Sequence, residues 1–237
     1  MERIDKIIAS QGQFSRSEVK KLVKDGRVTL DGKVIKSSDI KADPNVNNIA
    51  IDGKSISYKK HIYLMLNKPQ GVVSATEDPD HKTVIDLVPD EFKRDGLFPA
   101  GRLDGDTVGF VLITDDGDFA HRILSPKNHI MKTYHATLQR PVTQADIDAF
   151  RNGVELKDGT LCLEAQVRPL DNDEPMAEIK ICEGKYHQVK RMFAALGNKV
   201  VFLKRVKMGG LCLDEALDEG QCREITNEEL KLIQAKE

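Results

Sequence analysis

The sequence predicts an α+β fold in two parts: a small amino-terminal domain with its linker over residues 1–59, and a larger domain over 60–237 built on a mixed, mainly antiparallel sheet. Three observations lead there. A capped amphipathic helix and a tight hairpin occupy the first sixty residues. Beyond them, short β-rich runs broken by Gly, Pro and Asn outnumber helical ones, and most links are short, which favours antiparallel neighbours. The charge divides at the same place: residues 1–60 hold 13 Lys and Arg against 8 Asp and Glu, and the remainder holds 23 against 30. A basic first quarter on an acidic body points to a polyanionic partner for the smaller part.

The elements follow in order. In "SRSEVKKLVKDGRVTLDGKVI", Ser15 caps a helix and Glu18, three residues on, completes a capping box. Val19, Leu22 and Val23 form one helical stripe, while Arg16, Lys20, Lys24 and Arg27 recur on another face. Gly26 stops the helix, and "RVTLDGKVI" reads as two strands about an Asp31-Gly32 turn. "KADPNVNNIAIDGKSISYKK" supplies a closing strand and a short basic linker. In the larger part, strands are expected at 63–66, 109–114, 133–138, 162–167, 177–182 and 200–204. Helices are expected from Thr143, with Asp146 in its cap, to near Gly153; over 187–196, with Gly197 beyond; and from Thr226, with Glu229 in its cap.

Composition removes several classes. No apolar run approaches the ~18 residues of a membrane span, and "MERIDKIIASQGQ" has no apolar core of a secretory signal. A cytoplasmic protein without a membrane partner is therefore expected. Cys162, Cys182, Cys212 and Cys222 show no metal-ligand spacing, so reduced, mostly buried thiols and no metal site are expected.

The chemistry-bearing stretch is "FPAGRLDGDTVGFVLITDDGD" at 98–118. Asp104 and Asp106 precede an apolar run; Asp115, Asp116 and Asp118 follow it and read as a polar turn after a buried strand. If Asp104 and Asp106 lay on an extended strand they would point the same way at short range, too crowded for two glycosidase carboxylates. A metal nuclease would need carboxylates converging from distant segments, and "TDDGD" lacks the second half of a calcium loop. What remains is one carboxylate beside Arg102. Burial would neutralise such a group unless a cation were held close, so a Lys or Arg partner from elsewhere is predicted. The source is "EGKYHQVKRM" at 183–192, where His187, Gln188, Lys190 and Arg191 crowd the start of a helix that packs Met192, Phe193 and Leu196 inward.

Two resemblances join these features. "RIDKIIASQG" with "SRSEVKKLVKDGRVTLDGKVI" resembles the S4 RNA-binding domain, whose basic helix face would set Arg16, Lys20, Lys24 and Arg27 against RNA phosphates. "MLNKPQGVVS" at 65–74, "EDPDHKTVIDLVP" at 77–89, the 98–118 stretch, "KTYHATL" at 132–138 and "EGKYHQVKRMFAALGNKVVFLKRVKMGGL" at 183–211 together resemble pseudouridine synthases of the RsuA type. The resemblance implies a cofactor-free isomerase acting on a uridine of small-subunit (16S) ribosomal RNA or of an assembling small-subunit particle. Asp104 would be its catalytic carboxylate, Lys190 the cation paired with it, and Tyr134 the aromatic residue packed on the target base. Arg102 would hold the extruded nucleotide, Arg191, His187 and Gln188 would line the RNA side, and Asp106 and Thr107 would shape the loop. Gly101 and Gly105 would leave room for the RNA backbone. "DTVGF" departs from the family's usual Asp-Thr-Thr-Gly-Leu at Val108 and Phe110. A large-subunit enzyme of the same family and a non-catalytic RNA-binding assembly factor are the competing readings. Nothing suggests an oligomer, and a monomer is expected.

Overall fold

The computed structural model describes residues 1–235. Contacts divide the chain into two compact units, one of Met1–Ile62 with Val88–Leu97, the other of Tyr63–Leu87 with the chain from Phe98 onward.

In the first unit a short strand, β1 (Glu2–Arg3), leads into α1 (Ile4–Ala9) and α2 (Arg16–Lys24). Ser15 and Glu18 form the reciprocal capping box. The strands β2 (Val28–Leu30), β3 (Lys33–Val34), β5 (Ile49–Ile51) and β6 (Lys54–Ser55) make an antiparallel sheet in the order β3-β2-β5-β6, and β4 (Lys41–Ala42) pairs with β1. The β2–β3 turn sits on Asp31 and Gly32, both with positive φ (49° and 78°), the geometry of a two-residue hairpin. Ile4, Ile7 and Ile8 of α1 meet Val19, Leu22 and Val23 of α2 in a core closed by Val28, Ile49 and Ile51. The opposite face of α2 leaves Arg16, Lys20 and Lys24 exposed.

The second unit is a nine-stranded sheet. Its strands are β7 (Tyr63–Lys68), β8 (Phe98–Ala100), β9 (Val108–Thr114), β10 (Lys132–Leu138), β11 (Gln166–Leu170), β12 (Met176–Ile181), β13 (Val200–Met208), β14 (Leu211–Cys212) and β15 (Cys222–Glu224). They run in the order β11-β12-β10-β13-β9-β7-β15, with β14 on β13 and β8 on β9. All pairs are antiparallel except β13 with β9. That parallel contact passes Arg205 over Gly109 so closely that a Cβ there would lie 2.3 Å from the Arg205 carbonyl oxygen. Only glycine fits, and its φ of +99° agrees. Val108 and Phe110, the two departures from the family pattern, are buried in this central strand.

The helices are α3 (Gly117–Leu124), α4 (Gln144–Asn152), α5 (Gln188–Ala195) and α6 (Asn227–Gln234). Phe119, Ala120 and Ile123 of α3 and Ile233 of α6 share a core with Met65, Phe110, Leu112 and Met208 of the sheet. Phe150 of α4 and Phe193 of α5 meet with ring centroids 5.0 Å apart.

Three sequence expectations need correction. The acids after β9 do not make a mere turn: Asp116 N-caps α3, accepting from the Phe119 amide at 2.9 Å and from the Tyr63 hydroxyl at 2.6 Å. The strand expected at 162–167 forms instead at Gln166–Leu170. The Cys162 and Ala165 amides donate to Val154 and Phe150 carbonyls, which draws that stretch away from the sheet. Pro169 is tolerated because β11 is an edge strand. Finally, only Cys162 and Cys182 of the four thiols are buried; Cys212 is exposed.

The cap of α4 supports a stability prediction. Arg140 grips the Asp146 carboxylate at 2.6 and 3.0 Å, and the Thr143 amide and hydroxyl donate to it at 2.9 Å. Arg140 and these donors, against the cost of burial, lower the Asp146 carboxyl to about 2. A depressed folded-state value means stability that is complete above the ordinary aspartate value and is lost as pH falls toward 2. Asp146→Asn is expected to cost roughly 2 kcal/mol at neutral pH and to flatten the acid limb of the melting-temperature curve. An unchanged acid limb would contradict this.

Candidate active site

Asp104 lies in the connection from β8 to β9. The segment is a turn, closed by the Thr107 amide donating to the Asp104 carbonyl at 3.0 Å. The extended geometry considered for Asp104 and Asp106 therefore does not apply. The turn is held from behind by the last residue of β7 and the residues that follow it. Lys68, fully buried, donates to the carbonyls of Pro69 (3.1 Å), Gly105 (3.3 Å) and Thr107 (2.8 Å). The Gly71 amide donates to Gly105 at 2.8 Å, and the Ser74 hydroxyl both donates to and accepts from the Leu103 backbone at 3.0 Å. The "MLNKPQGVVS" run is thus the mould of the loop. Burial pushes the Lys68 amine down to about 8, while Asp106 and Asp104 act in the opposite sense.

Gly105 stands in open space, whereas Gly101 takes φ +92° with Leu124 pressed against it. Gly101 is required by the chain's own path, so the clearance expected at both glycines exists at Gly105.

The predicted cation comes from α5, 86 residues away in sequence. Lys190 Nζ lies 3.0 Å from Asp104 Oδ2 and 2.5 Å from Asp106 Oδ1. Burial works against the Lys190 charge, but hydrogen bonds to Asp106 and Asp104 outweigh it and raise the amine above its ordinary value. The same bond holds the Asp106 carboxyl below the usual range. The Lys190 and Asp104 side chains are about a quarter exposed, at 23% and 25%, against 64% for Asp106. Asp104 is therefore the better enclosed carboxylate. His187, at the head of α5, brings Nε2 within 3.4 Å of Asp104 Oδ1.

These groups face a shallow cavity of about 60 Å³. Arg102, Asp104, Tyr134, His187, Gln188 and Lys190 line it, with Leu203 and Ile181 as apolar wall. The chain has roomier clefts, one of about 900 Å³ beside β11, but its Glu178 carboxylate is already engaged by Arg168 at 2.8 Å.

Two expected RNA-facing residues do other work. Gln188 is buried, donates to Glu183 at 2.6 Å and accepts from the Lys185 amide at 2.8 Å. Its amide braces the 183–188 loop while its side chain also lines the cavity. Arg191 is not among the cavity-lining residues; it pairs with Asp158 and donates to the Tyr186 carbonyl at 3.3 Å. In the first unit, Arg27 makes a surface ion pair with Asp52 at 2.5 Å, leaving Arg16, Lys20 and Lys24 as the unengaged part of the basic face.

Residues not singled out from sequence are Lys68 and Arg205. Arg205 lies buried beside Tyr134 in the β13–β10 register and donates to the Phe110 carbonyl at 2.6 Å. A lysine inside the apolar run "YLMLNKP" and an arginine inside "VVFLKRVKM" were the available signals. Buried cations must find acceptors: Lys68 finds three backbone carbonyls at and beside the Asp104 turn, and Arg205 finds the Phe110 carbonyl of β9 while its buried Nη2 has no hydrogen-bond partner among the described residues. Among the described residues, no helix is long and apolar enough to cross a membrane, and no group of three or more His, Cys, Asp or Glu could hold a metal ion.

Known proteins match the chain over nearly its full length. Residues 62–195 match the RNA pseudouridylate synthase family, and residues 2–46 match the S4 domain. The chain is 47% identical to an uncharacterised RNA pseudouridine synthase of Bacillus subtilis, over 98% of each chain. It is 43% identical to ribosomal small subunit pseudouridine synthase A of Escherichia coli, over 98% of this chain and 99% of the other. A crystal structure of a pseudouridylate synthase, 38% identical, superposes with a TM-score of 0.66 over 98% of this chain and 100% of that one. A fold and sequence shared so fully lead to one conclusion: the chain belongs to the RNA pseudouridylate synthase family, as an isomerase carrying an amino-terminal S4 domain.

Proposed function

We propose that the protein isomerises one uridine of small-subunit ribosomal RNA to pseudouridine, with Asp104 as its catalytic residue. The observation that carries this reading is the 3.0 Å Lys190–Asp104 pair at the mouth of a cavity walled by Tyr134. The choice of small-subunit RNA is supported by relatives of that name at 43–45% identity.

The reaction breaks the N1–C1′ bond, turns the uracil, and joins C5 to C1′. C5 releases its proton to solvent and N1 takes one up, so no electron acceptor or co-substrate enters the balance. A uridine in folded RNA must first leave its stack, at a cost of a few kcal/mol. Stacking on Tyr134 recovers roughly 1 to 3 kcal/mol of that. Arg102, exposed at the rim, takes the backbone of the extruded nucleotide. Lys190, 3.0 Å away, holds the carboxylate of Asp104 in place and sets a positive charge beside the reacting nucleotide. Asp104 then acts as nucleophile or removes a sugar proton to give a glycal. In either case the residue that drives the chemistry is the same. The S4 domain supplies affinity through Arg16, Lys20 and Lys24, whose phosphate contacts would make binding strongly salt-dependent.

The test offers the purified protein small- and large-subunit ribosomal RNA labelled with tritium at uridine C5. Release from small-subunit RNA alone, approaching one tritium per molecule, is expected. Release from large-subunit RNA alone would reassign the substrate, and release from neither would overturn the proposal.

A further inference from the structure

Tyr186 is 74% exposed and belongs to no core. One face of its ring is nonetheless stacked on the His187 imidazole, with centroids 3.8 Å apart and planes 18° from parallel. His187 holds a left-handed backbone (φ 48°), a strained conformation for a residue with a side chain. In that conformation the imidazole stands 3.4 Å from Asp104 while its ring is stacked with that of the tyrosine.

The loop that carries the pair is braced on all sides by contacts that do not involve the tyrosine ring. Glu183 receives Gln188 at 2.6 Å and the Leu163 amide at 2.9 Å, and also pairs with Lys185. Gln188 receives the Lys185 amide at 2.8 Å, and Arg191 donates to the Tyr186 carbonyl at 3.3 Å. So much bracing is not needed to leave an apolar ring in water. It does suit a surface that must meet a flat partner in fixed orientation.

We infer that Tyr186 on His187 is a stacking platform for the nucleobase next to the uridine that enters the Asp104 cavity. When that uridine leaves the RNA stack, its neighbour loses one stacking face, and an exposed ring beside the cavity replaces it. Lys185 and Arg191 beside the platform are paired with Glu183 and Asp158, so the contact offered to the RNA is the open face of the tyrosine ring itself. The partner is thus an RNA base of the substrate itself, recognised by its π-face and not by its edge, so little base identity is demanded at that position. This inference rests on the proposed isomerisation at Asp104.

The experiment uses short RNAs spanning the target uridine, with the fluorescent base 2-aminopurine placed in turn at each flanking nucleotide. The wild-type protein and Tyr186→Phe are expected to quench it at one flanking position, and Tyr186→Leu is not. The RNA concentration for half-maximal rate is expected to rise about ten-fold in Tyr186→Leu, with the saturating single-turnover rate close to wild type. Quenching by Tyr186→Leu equal to wild type, or an unchanged half-maximal concentration, overturns the platform. So does a collapsed saturating rate with unchanged affinity, which would place Tyr186 in the chemistry through His187. If the wild-type protein forms no pseudouridine, the isomerisation reading falls, while quenching still decides whether a base stacks on Tyr186.

Discussion

Asp104→Asn is expected to abolish pseudouridine formation while leaving RNA binding intact. The substitution keeps size and shape but removes the nucleophilic or basic oxygen. A loss of at least about 10⁴-fold, some 5.5 kcal/mol of transition-state stabilisation, is expected for a group in direct contact with the reacting atoms. The fold should tolerate it, because the turn is held by Lys68, Gly71 and Ser74 through backbone groups. None of those contacts uses the Asp104 side chain. Affinity should persist or rise slightly, since the variant removes a negative charge from an RNA site. Product analysis of the modified RNA together with a binding titration checks both halves. A variant that still isomerises, or that loses RNA along with activity, would not be explained by catalysis at Asp104.

Lys190→Met is expected to give the second largest effect. Lys190 is bonded to both Asp104 and Asp106. Its charge is favoured by those partners, so in the wild type it is present across the neutral range and lost only as pH rises past the ordinary lysine value. Without it Asp104 and Asp106 lose their shared cation, and the Asp106 carboxyl loses the contact that holds it below the usual range. Activity at neutral pH should fall by roughly 10² to 10³, the range for a single positioned electrostatic group. Lys190→Arg should recover part of the rate and not all of it, because guanidinium carries the charge with different geometry. A Lys190→Met rate close to wild type would contradict a role for this cation beside Asp104.

Much of this was legible in the chain. Caps with a spaced partner, at Ser15 and Glu18, Thr143 and Asp146, and Thr226 and Glu229, are local chemistry and marked three helix starts that the structure contains. Alternation and apolar runs located β7, β9, β10, β12 and β13 to within a few residues. The need for a cation near a half-enclosed carboxylate led to α5, and Lys190 is there. What escaped detection depended on tertiary context. The helix α3 is only eight residues long and opens on glycine, so Asp116 read as a turn residue when it is a cap. The segment 162–165 alternates like a strand, yet its amides bond to Val154 and Phe150. Gln188 and Arg191 have the chemistry of RNA ligands, but Glu183 and Asp158 claim them first. Lys68 looks like a strand-end lysine until three carbonyls close around it.

These cases share a physical reason. A side chain's type states what it can bond to, and the fold decides which partner arrives. Asp104 is legible because its environment is written nearby, in Arg102 and the turn glycines, and because one distant charge suffices to complete it. The bracing loop around Tyr186 is not, because its contacts join segments whose partners, such as Leu163 and Asp158, carry no mark of the pairing in sequence.

The most direct test of the account is nucleotide-resolution pseudouridine mapping of ribosomal RNA from cells with the gene intact, deleted, or replaced by the Asp104→Asn form. The account predicts that one small-subunit uridine carries the modification in the intact strain and loses it in both others, with the variant protein present at normal level. If every pseudouridine persists in the Asp104→Asn strain, catalysis by this carboxylate is contradicted.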